Sequence, residues 1–139
     1  MKNNRGFTAI EILVMVAVLA VVGVVTFPKF RLMLYRSREG RTKTNLAELR
    51  GALAIYYSDN QGLYPSDQGT PETRLRDVFV PRYIKEIPAT TLTHLYGQEK
   101  RTIQDRLDDQ GDWVYSIVDG FIGVNSLKAD TKGNPVSRW

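Results

Sequence analysis

The sequence predicts an α+β fold with a long N-terminal α-helical spine whose first half is transmembrane. A small C-terminal head of antiparallel β-sheet is expected to pack on the second half of the helix. Residues 7–27 form an apolar run, and a helix needs about 20 apolar residues to cross a bilayer. Apolar residues then recur at helical spacing, and a strand–turn–strand pattern follows near the end of the sequence.

Glu11 is the one charged residue of the apolar run. A carboxylate in the first turn interacts favourably with the helix dipole, which would make Glu11 a tolerated interfacial charge. Ionisable residues inside membrane helices are costly, however, and are functional by default. We therefore interpret Glu11 as a functional residue. Pro28 follows the run and is predicted to kink or locally melt the helix, because proline lacks a backbone N–H.

An amphipathic helix is predicted to continue beyond Pro28 to about residue 60. Leu46, Leu49, Leu53 and Tyr56 recur at spacings of three, four and three residues and therefore share one face. The sequence Asn60-Gln61-Gly62 supplies a helix stop.

The remaining sequence predicts the head. A short helix is expected to end near Pro81, and residues 89–112 are expected to form an irregular connector with one helical turn. The stretch "DWVYSIVDGFIGVNS" predicts a hairpin in which Trp113, Tyr115 and Ile117 share one face and Asp119-Gly120 forms a two-residue turn. Residues 135–139 are expected to add a short third strand.

Five segments follow from these patterns. They are a short polar leader (1–6), a transmembrane helix (7–27), its amphipathic continuation (28–60), an αβ connector (61–112), and an antiparallel hairpin with the C-terminal segment (113–139).

The charge is distributed unevenly along the chain. The formal net charge is +4, but seven basic and two acidic residues lie between Lys29 and Arg50, whereas acidic residues exceed basic ones from Gly51 onward. The pattern suits a stalk near a membrane surface, with mostly solvated charges, better than a nucleic-acid-binding head. Nucleic acid is therefore not an expected partner.

The residue inventory argues against an enzyme. Cysteine is absent, which excludes disulfides and cysteine-based metal or redox sites. His94 is the only histidine, and in an irregular segment it is expected on the surface. No serine motif of the nucleophile-elbow type occurs. An anchored or secreted enzyme is the less favoured alternative.

The N-terminal stretch "RGFTAIEILV" resembles the processing signal of type IV pilins and pseudopilins. An ordinary secretory signal could instead be cut after Ala20, but Glu11 would then lie inside its apolar stretch. The resemblance implies that a prepilin peptidase cleaves between Gly6 and Phe7 and N-methylates Phe7. It also implies assembly roles for Glu11 and Pro28, the former pairing with the new amine of Phe7.

The resemblance further implies where the chain acts and with what. The subunit would wait in the inner membrane as a single-pass protein with its head outside the cytoplasm, and then enter a periplasmic or extracellular filament. Its partners would be further copies of itself, minor pseudopilins or pilins, the peptidase and an inner-membrane assembly platform. Counting basic residues beside the span would place the head inside instead; we follow the resemblance.

The stretches "TKTNLAELRGALAIYYSDNQGLYPSDQG" and "YIKEIP" resemble major pseudopilins of type II secretion. A pseudopilus subunit is therefore the leading hypothesis, and a type IV pilin for adhesion, twitching motility or DNA uptake is the alternative. Major pseudopilins hold calcium in an acidic C-terminal loop. Here that region offers only Asn125, Ser126, Asp130 and Asn134, of which the first three are the weak candidates, so no cofactor is expected. Asp108, Asp109 and Asp112 are expected to form a solvated acidic loop.

Overall fold

The computed structural model describes residues 6–65 and 71–139. For residues 71–74 it describes the main chain alone. It divides the chain into two compact units, Met1–Leu34 and Tyr35–Trp139. Three α-helices are described: α1 (Ala9–Asp59), α2 (Pro71–Phe79) and α3 (Thr93–Tyr96). The strands are β1 (Ile103–Gln104), β2 (Trp113–Tyr115) and β3 (Ile122–Val124), and a 3₁₀ turn spans Val136–Arg138. The predicted α+β fold, a long N-terminal helix followed by a small sheet, is confirmed.

Helix α1 is continuous through Pro28, so the predicted local melting at this proline is wrong, and the predicted kink stays a prediction. Proline removes a single N–H from the helical ladder, and the apolar residues on either side continue the helix.

The predicted helix stop is correct. Asn60 donates its side-chain N–H to the carbonyl oxygen of Tyr56 (2.8 Å), and Gly62 takes a left-handed backbone conformation with φ +82° while its N–H bonds to Tyr57.

The core lies in the second unit, where one face of α1 packs under α2 and the sheet. Leu46, Leu49 and Leu53 are buried as the spacing predicted, and Tyr56 is half-buried. The other buried apolar residues of this core are Ala52 on α1 and, from later in the chain, Leu75, Phe79, Ile84, Ile87, Leu92, Ile103, Trp113, Tyr115, Ile122, Val124 and Val136.

The sheet is mixed, in the order β1-β2-β3, rather than purely antiparallel. β2 and β3 pair antiparallel, with Trp113 opposite Val124, but β1 runs parallel to β2, with Ile103 opposite Trp113. The third strand thus comes from the connector predicted to be irregular. The predicted strand at 135–139 is instead the 3₁₀ turn: Pro135 cannot donate a backbone hydrogen bond, and Val136 turns inward.

The hairpin turn also differs from the prediction. β2 ends at Tyr115, and the connection runs from 116 to 121, closed by the bond from the Ser116 N–H to the Phe121 carbonyl (2.9 Å). Ile117 is exposed and does not extend the face of Trp113. Gly120 has φ +66°, and a Cβ there would collide with the ring of Tyr64. Position 120 therefore requires glycine, but the predicted two-residue turn at Asp119-Gly120 is wrong, because the connection is longer.

Replacing Leu49 by Ala should lower the free energy of unfolding by roughly 2–5 kcal/mol, because the fully buried side chain leaves a cavity. The matched control on the same helix is Ile55→Ala, at a side chain 55% exposed, which should change stability by less than about 0.5 kcal/mol. Denaturant unfolding of the detergent-solubilised chain, followed by near-ultraviolet circular dichroism, measures both. Equal effects of the two substitutions would contradict this assignment of the core.

Candidate functional site: the exposed apolar helix and its N-terminal cap

The first unit presents an apolar helix that no residue in the described part of the chain covers. Every residue from Gly6 to Leu34 is exposed, including Leu19 at 69% and Val24 at 76%. By length and composition α1 can cross a membrane, with a mean hydropathy of 2.8 over 18 residues. Apolar surface of this extent is unfavourable in water. The helix therefore needs either lipid or other protein around it.

Glu11 and Thr8 form a capping box at the start of this helix. The Oε2 atom of Glu11 accepts hydrogen bonds from the Thr8 backbone N–H (2.7 Å) and the Thr8 hydroxyl (2.8 Å). In return, the Glu11 N–H donates to the Thr8 hydroxyl oxygen at 3.4 Å. Such a box satisfies N–H groups that have no partner within the helix. Glu11 thus caps the start of the helix in addition to carrying a charge.

Sequence reasoning placed Glu11 correctly in the first helical turn but overlooked Thr8. The available signal was the spacing Thr-x-x-Glu in "TAIE", which is the sequence signature of a capping box. Both carboxylate bonds that the structure describes end on Oε2.

Gly6 and Phe7, the predicted cleavage residues, precede the helix in a non-helical segment, and Phe7 is 71% exposed. Residues 1–5 of the predicted leader lie outside the described residues. Pro28 lies inside α1 and is exposed. Cleavage, N-methylation and the assembly roles of Glu11 and Pro28 stay predictions.

A second polar cluster, in the second unit, ties α1 to the C-terminal loop. The buried carboxylate of Glu39 accepts hydrogen bonds from the Thr131 N–H (2.8 Å) and the Thr131 hydroxyl (2.7 Å). Its Oε1 also lies 3.2 Å from His94 Nε2, and the His94 ring stacks on Tyr35 with centroids 4.8 Å apart. Burying a carboxylate is costly unless such partners replace water.

The prediction that His94 is a surface residue is therefore wrong, because its side chain is only 6% exposed. Sequence reasoning also missed Glu39 and Thr42, which are buried on the same face as Leu46. Both lie on the helical spacing that leads from Tyr35 to Leu46. Extending that face toward the N-terminus through polar residues is the signal that could have found them.

The weak calcium candidates are occupied by hydrogen bonds of the chain itself. Asn125 Oδ1 accepts the N–H groups of Asp108 and Asp109, and its amide donates to the carboxylates of Asp108 and Asp112. Ser126 Oγ bonds with the Tyr96 hydroxyl. No group of three or more His, Cys, Asp or Glu that could hold a metal ion occurs among the described residues.

The acidic loop is less solvated than predicted, because Asp112 is buried. It accepts hydrogen bonds from the Thr102 hydroxyl and the Asn125 amide. The pKa of Asp109 is lowered, chiefly by the hydrogen bond from the Tyr96 hydroxyl and next by the Leu127 N–H. Burial and this contact with Asp109 raise the pKa of Tyr96. These carboxylates tie together the chain around β2 and β3.

Asp130 orders the C-terminal loop. Its Oδ1 accepts the N–H groups of Lys132 and Asn134, both at 2.9 Å, and its Oδ2 lies 3.8 Å from Lys43 Nζ on α1. Burial by itself raises the pKa of Asp130, but the N–H groups of Asn134 and Lys132 outweigh it, so that the pKa lies below its usual value.

An open groove of about 490 Å³ in the second unit bears on the enzyme alternative. It is lined mainly by apolar and aromatic side chains, among them Leu53, Tyr57 and Phe121. Arg50, its charged member, binds the carbonyl oxygens of Ile122 and Trp139. Among the described residues, the groove lining contains no carboxylate, histidine or serine. Its tyrosines, Tyr57 and Tyr64, are side chains that can transfer a proton.

Comparison with known proteins finds a similarity to the type IV major pilin protein PilA of Myxococcus xanthus (strain DK1622), with 36% identity over 57 residues. The match covers 41% of this chain and 26% of that protein, so it spans about a quarter of the relative's length. No family model matches the chain, and no solved structure gives a significant match. Together with the long N-terminal apolar helix, the similarity confirms the predicted resemblance to type IV pilins and pseudopilins.

Replacing Asp130 by Asn should lower stability at neutral pH, by roughly 1 kcal/mol, and flatten its dependence on acidic pH. The folded pKa of Asp130 is depressed, so its contribution is present above the unfolded pKa of about 3.9 and is lost as pH falls through the lower folded pKa. Urea unfolding of the detergent-solubilised chain from pH 7 to pH 3 measures this. Asp105→Asn, at an exposed position, is the control; identical pH profiles for both variants would contradict the assignment.

Proposed function

We propose that this chain is a structural subunit of a type IV pilus-like filament. The observation that carries the proposal is the uncovered apolar run from Phe7 to Phe27, helical from Ala9 onward, with a carboxylate in its first helical turn. Lipid covers this helix while the subunit is anchored in the inner membrane. The same helices of other copies cover it in the filament.

The charge of Glu11 is costly in both environments, since neither lipid nor a core of packed apolar helices solvates a carboxylate. Cleavage after Gly6 resolves this, because it creates a cationic amine on Phe7. The capping bonds use the Thr8 N–H and hydroxyl, which both remain after cleavage. The carboxylate then pairs with the Phe7 amine of its own chain or of a neighbouring copy, and the pairing fixes the register of an incoming subunit.

The steps before assembly follow from the same resemblance. A prepilin peptidase removes residues 1–6 and N-methylates Phe7, the head lies outside the cytoplasm, and an inner-membrane platform admits the subunit to the filament together with minor pseudopilins or pilins. The filament then lies in the periplasm or outside the cell. The work of the chain is mechanical, and the similarity to a protein named as a major pilin supports this structural role.

Two kinds of filament fit these features. The first candidate is the pseudopilus of a type II secretion system, supported by the stretch through "LYPSDQG" and by the absence of cysteine. The second is a type IV pilus for adhesion, twitching motility or DNA uptake. The observation that favours the second is the similarity to a protein named as a major pilin.

The experiment compares Glu11→Gln with Glu11→Ala in cells that assemble the filament. Glutamine keeps a capping box but removes the charge, whereas alanine removes both. If the charge pairs with the Phe7 amine, both variants should reach the membrane and both should fail to form filaments, scored by electron microscopy. Thr8→Val is the converse control, since it keeps the charge and loses the hydroxyl bond; it should assemble, with a less stable helix start.

Mass spectrometry of the membrane-extracted chains establishes the N-terminus of each variant. A start at N-methylated Phe7 is expected, whereas a start at Val21 would show ordinary signal cleavage and remove the helix from the mature protein. Normal filaments from Glu11→Gln with none from Glu11→Ala would reduce Glu11 to a capping residue. Normal filaments from both would refute the pairing altogether.

A further inference from the structure

The stretch after the apolar run concentrates positive charge. Six basic residues and one acidic residue, Glu39, lie between Lys29 and Lys43. The basic residues are Lys29, Arg31, Arg36, Arg38, Arg41 and Lys43. On a solvated helix the carboxylate of Glu39 would offset part of this charge through neighbours three or four residues away.

Glu39 does not do so here, because it faces into the second unit. It is only 5% exposed, and its two oxygens are taken by Thr131 and His94. The polar cluster described above therefore removes the one acidic group from the surface of this segment. What remains on the surface is basic.

Arg36, Arg38 and Arg41 are all exposed. Among residues 6–65 and 75–139, the structure describes no ion pair for these three guanidinium groups, although it describes others for Lys43, Arg101 and Arg106. Arg36 follows the end of the apolar run at Phe27 by nine residues in the sequence. These three guanidinium groups, with no described ion pair, follow the apolar run by nine to fourteen residues in the sequence and can bind phosphate.

The directions of the three side chains distinguish possible anions. A helix has 3.6 residues per turn, so residues 36 and 38 are about 200° apart and point to nearly opposite sides. A nucleic-acid duplex approaches a helix from one side and would leave part of this charge unused. Lipid headgroups surround a helix that emerges from a bilayer and can meet charge on every side.

We propose that Arg36, Arg38 and Arg41 bind the phosphate groups of anionic phospholipids in the membrane that holds the apolar helix. The inference rests on the proposed anchoring of that helix. Juxtamembrane clusters of basic residues are attracted to anionic bilayer surfaces, within about a Debye length. The contact holds the anchored subunit until assembly, and a subunit that leaves the membrane must release these lipids. Anionic lipid therefore opposes extraction.

The test reconstitutes the full chain in phosphatidylcholine vesicles that contain a trace of spin-labelled phosphatidylglycerol or spin-labelled phosphatidylcholine. Electron paramagnetic resonance gives the association constant of each lipid for the protein. Phosphatidylglycerol should be preferred by the unsubstituted chain, and the preference should fall several-fold in the triple variant Arg36→Gln, Arg38→Gln, Arg41→Gln, which keeps Lys29 and Arg31. It should also weaken in 1 M salt, where the Debye length is about 3 Å.

The matched control removes the same charge from exposed positions of the second unit, through Arg82→Gln, Lys85→Gln and Arg138→Gln. This variant should keep the preference. Equal preference in both variants, or none in the unsubstituted chain, would overturn the inference. A third outcome would also overturn it: the reconstituted chain binds a DNA duplex, and the first triple variant loses this binding but keeps its lipid preference. This result would assign the arginines to nucleic acid.

The outcome is separable from that of the proposed function. A chain that incorporates into vesicles and assembles into filaments, but shows no lipid preference, contradicts only the inference about the arginines. A chain that does not incorporate contradicts the anchoring of the apolar helix, and the inference falls with it.

Discussion

The structure depends on one constraint: an apolar helix of about 20 residues whose surface nothing in the described chain covers. At roughly 25 cal/mol per Å² of apolar area, exposing such a helix to water is prohibitive. This segment therefore needs lipid or other protein around it. Under the proposed function, anchoring and polymerisation are alternative ways of meeting this requirement.

Beyond Leu34 one face of the same helix is buried by the rest of the chain. Leu46, Leu49 and Leu53 bury their side chains under α2 and the sheet, and Glu39 and Lys43 bind the C-terminal loop at Thr131 and Asp130. Burying these charged and polar groups costs desolvation free energy, which their hydrogen bonds partly offset. They also decide which charges stay on the surface, and so they leave the segment around Arg38 basic.

The sequence predicted what depends on periodicity and missed what depends on contacts distant in sequence. The apolar run, the face through Leu49 and the helix stop at Asn60 are local patterns, and all were correct. His94 bonds with Glu39, far along the chain, and Asp112 bonds with Thr102 and Asn125, ten and thirteen residues away; no local pattern reveals these contacts. Strand β1 has two residues, too few to show alternation. At Glu11 the charge was recognised but the capping box with Thr8 was not, although its spacing is local.

The most direct test of the central claim is the accessibility of the apolar helix in filaments sheared free of membrane. The sequence has no cysteine, so Leu19→Cys reports on that helix alone, and Lys85→Cys serves as the exposed reference. A water-soluble maleimide should label Lys85→Cys filaments readily and leave Leu19→Cys filaments unlabelled until they are denatured, because neighbouring copies cover the helix. Labelling of both at the same rate would contradict the account.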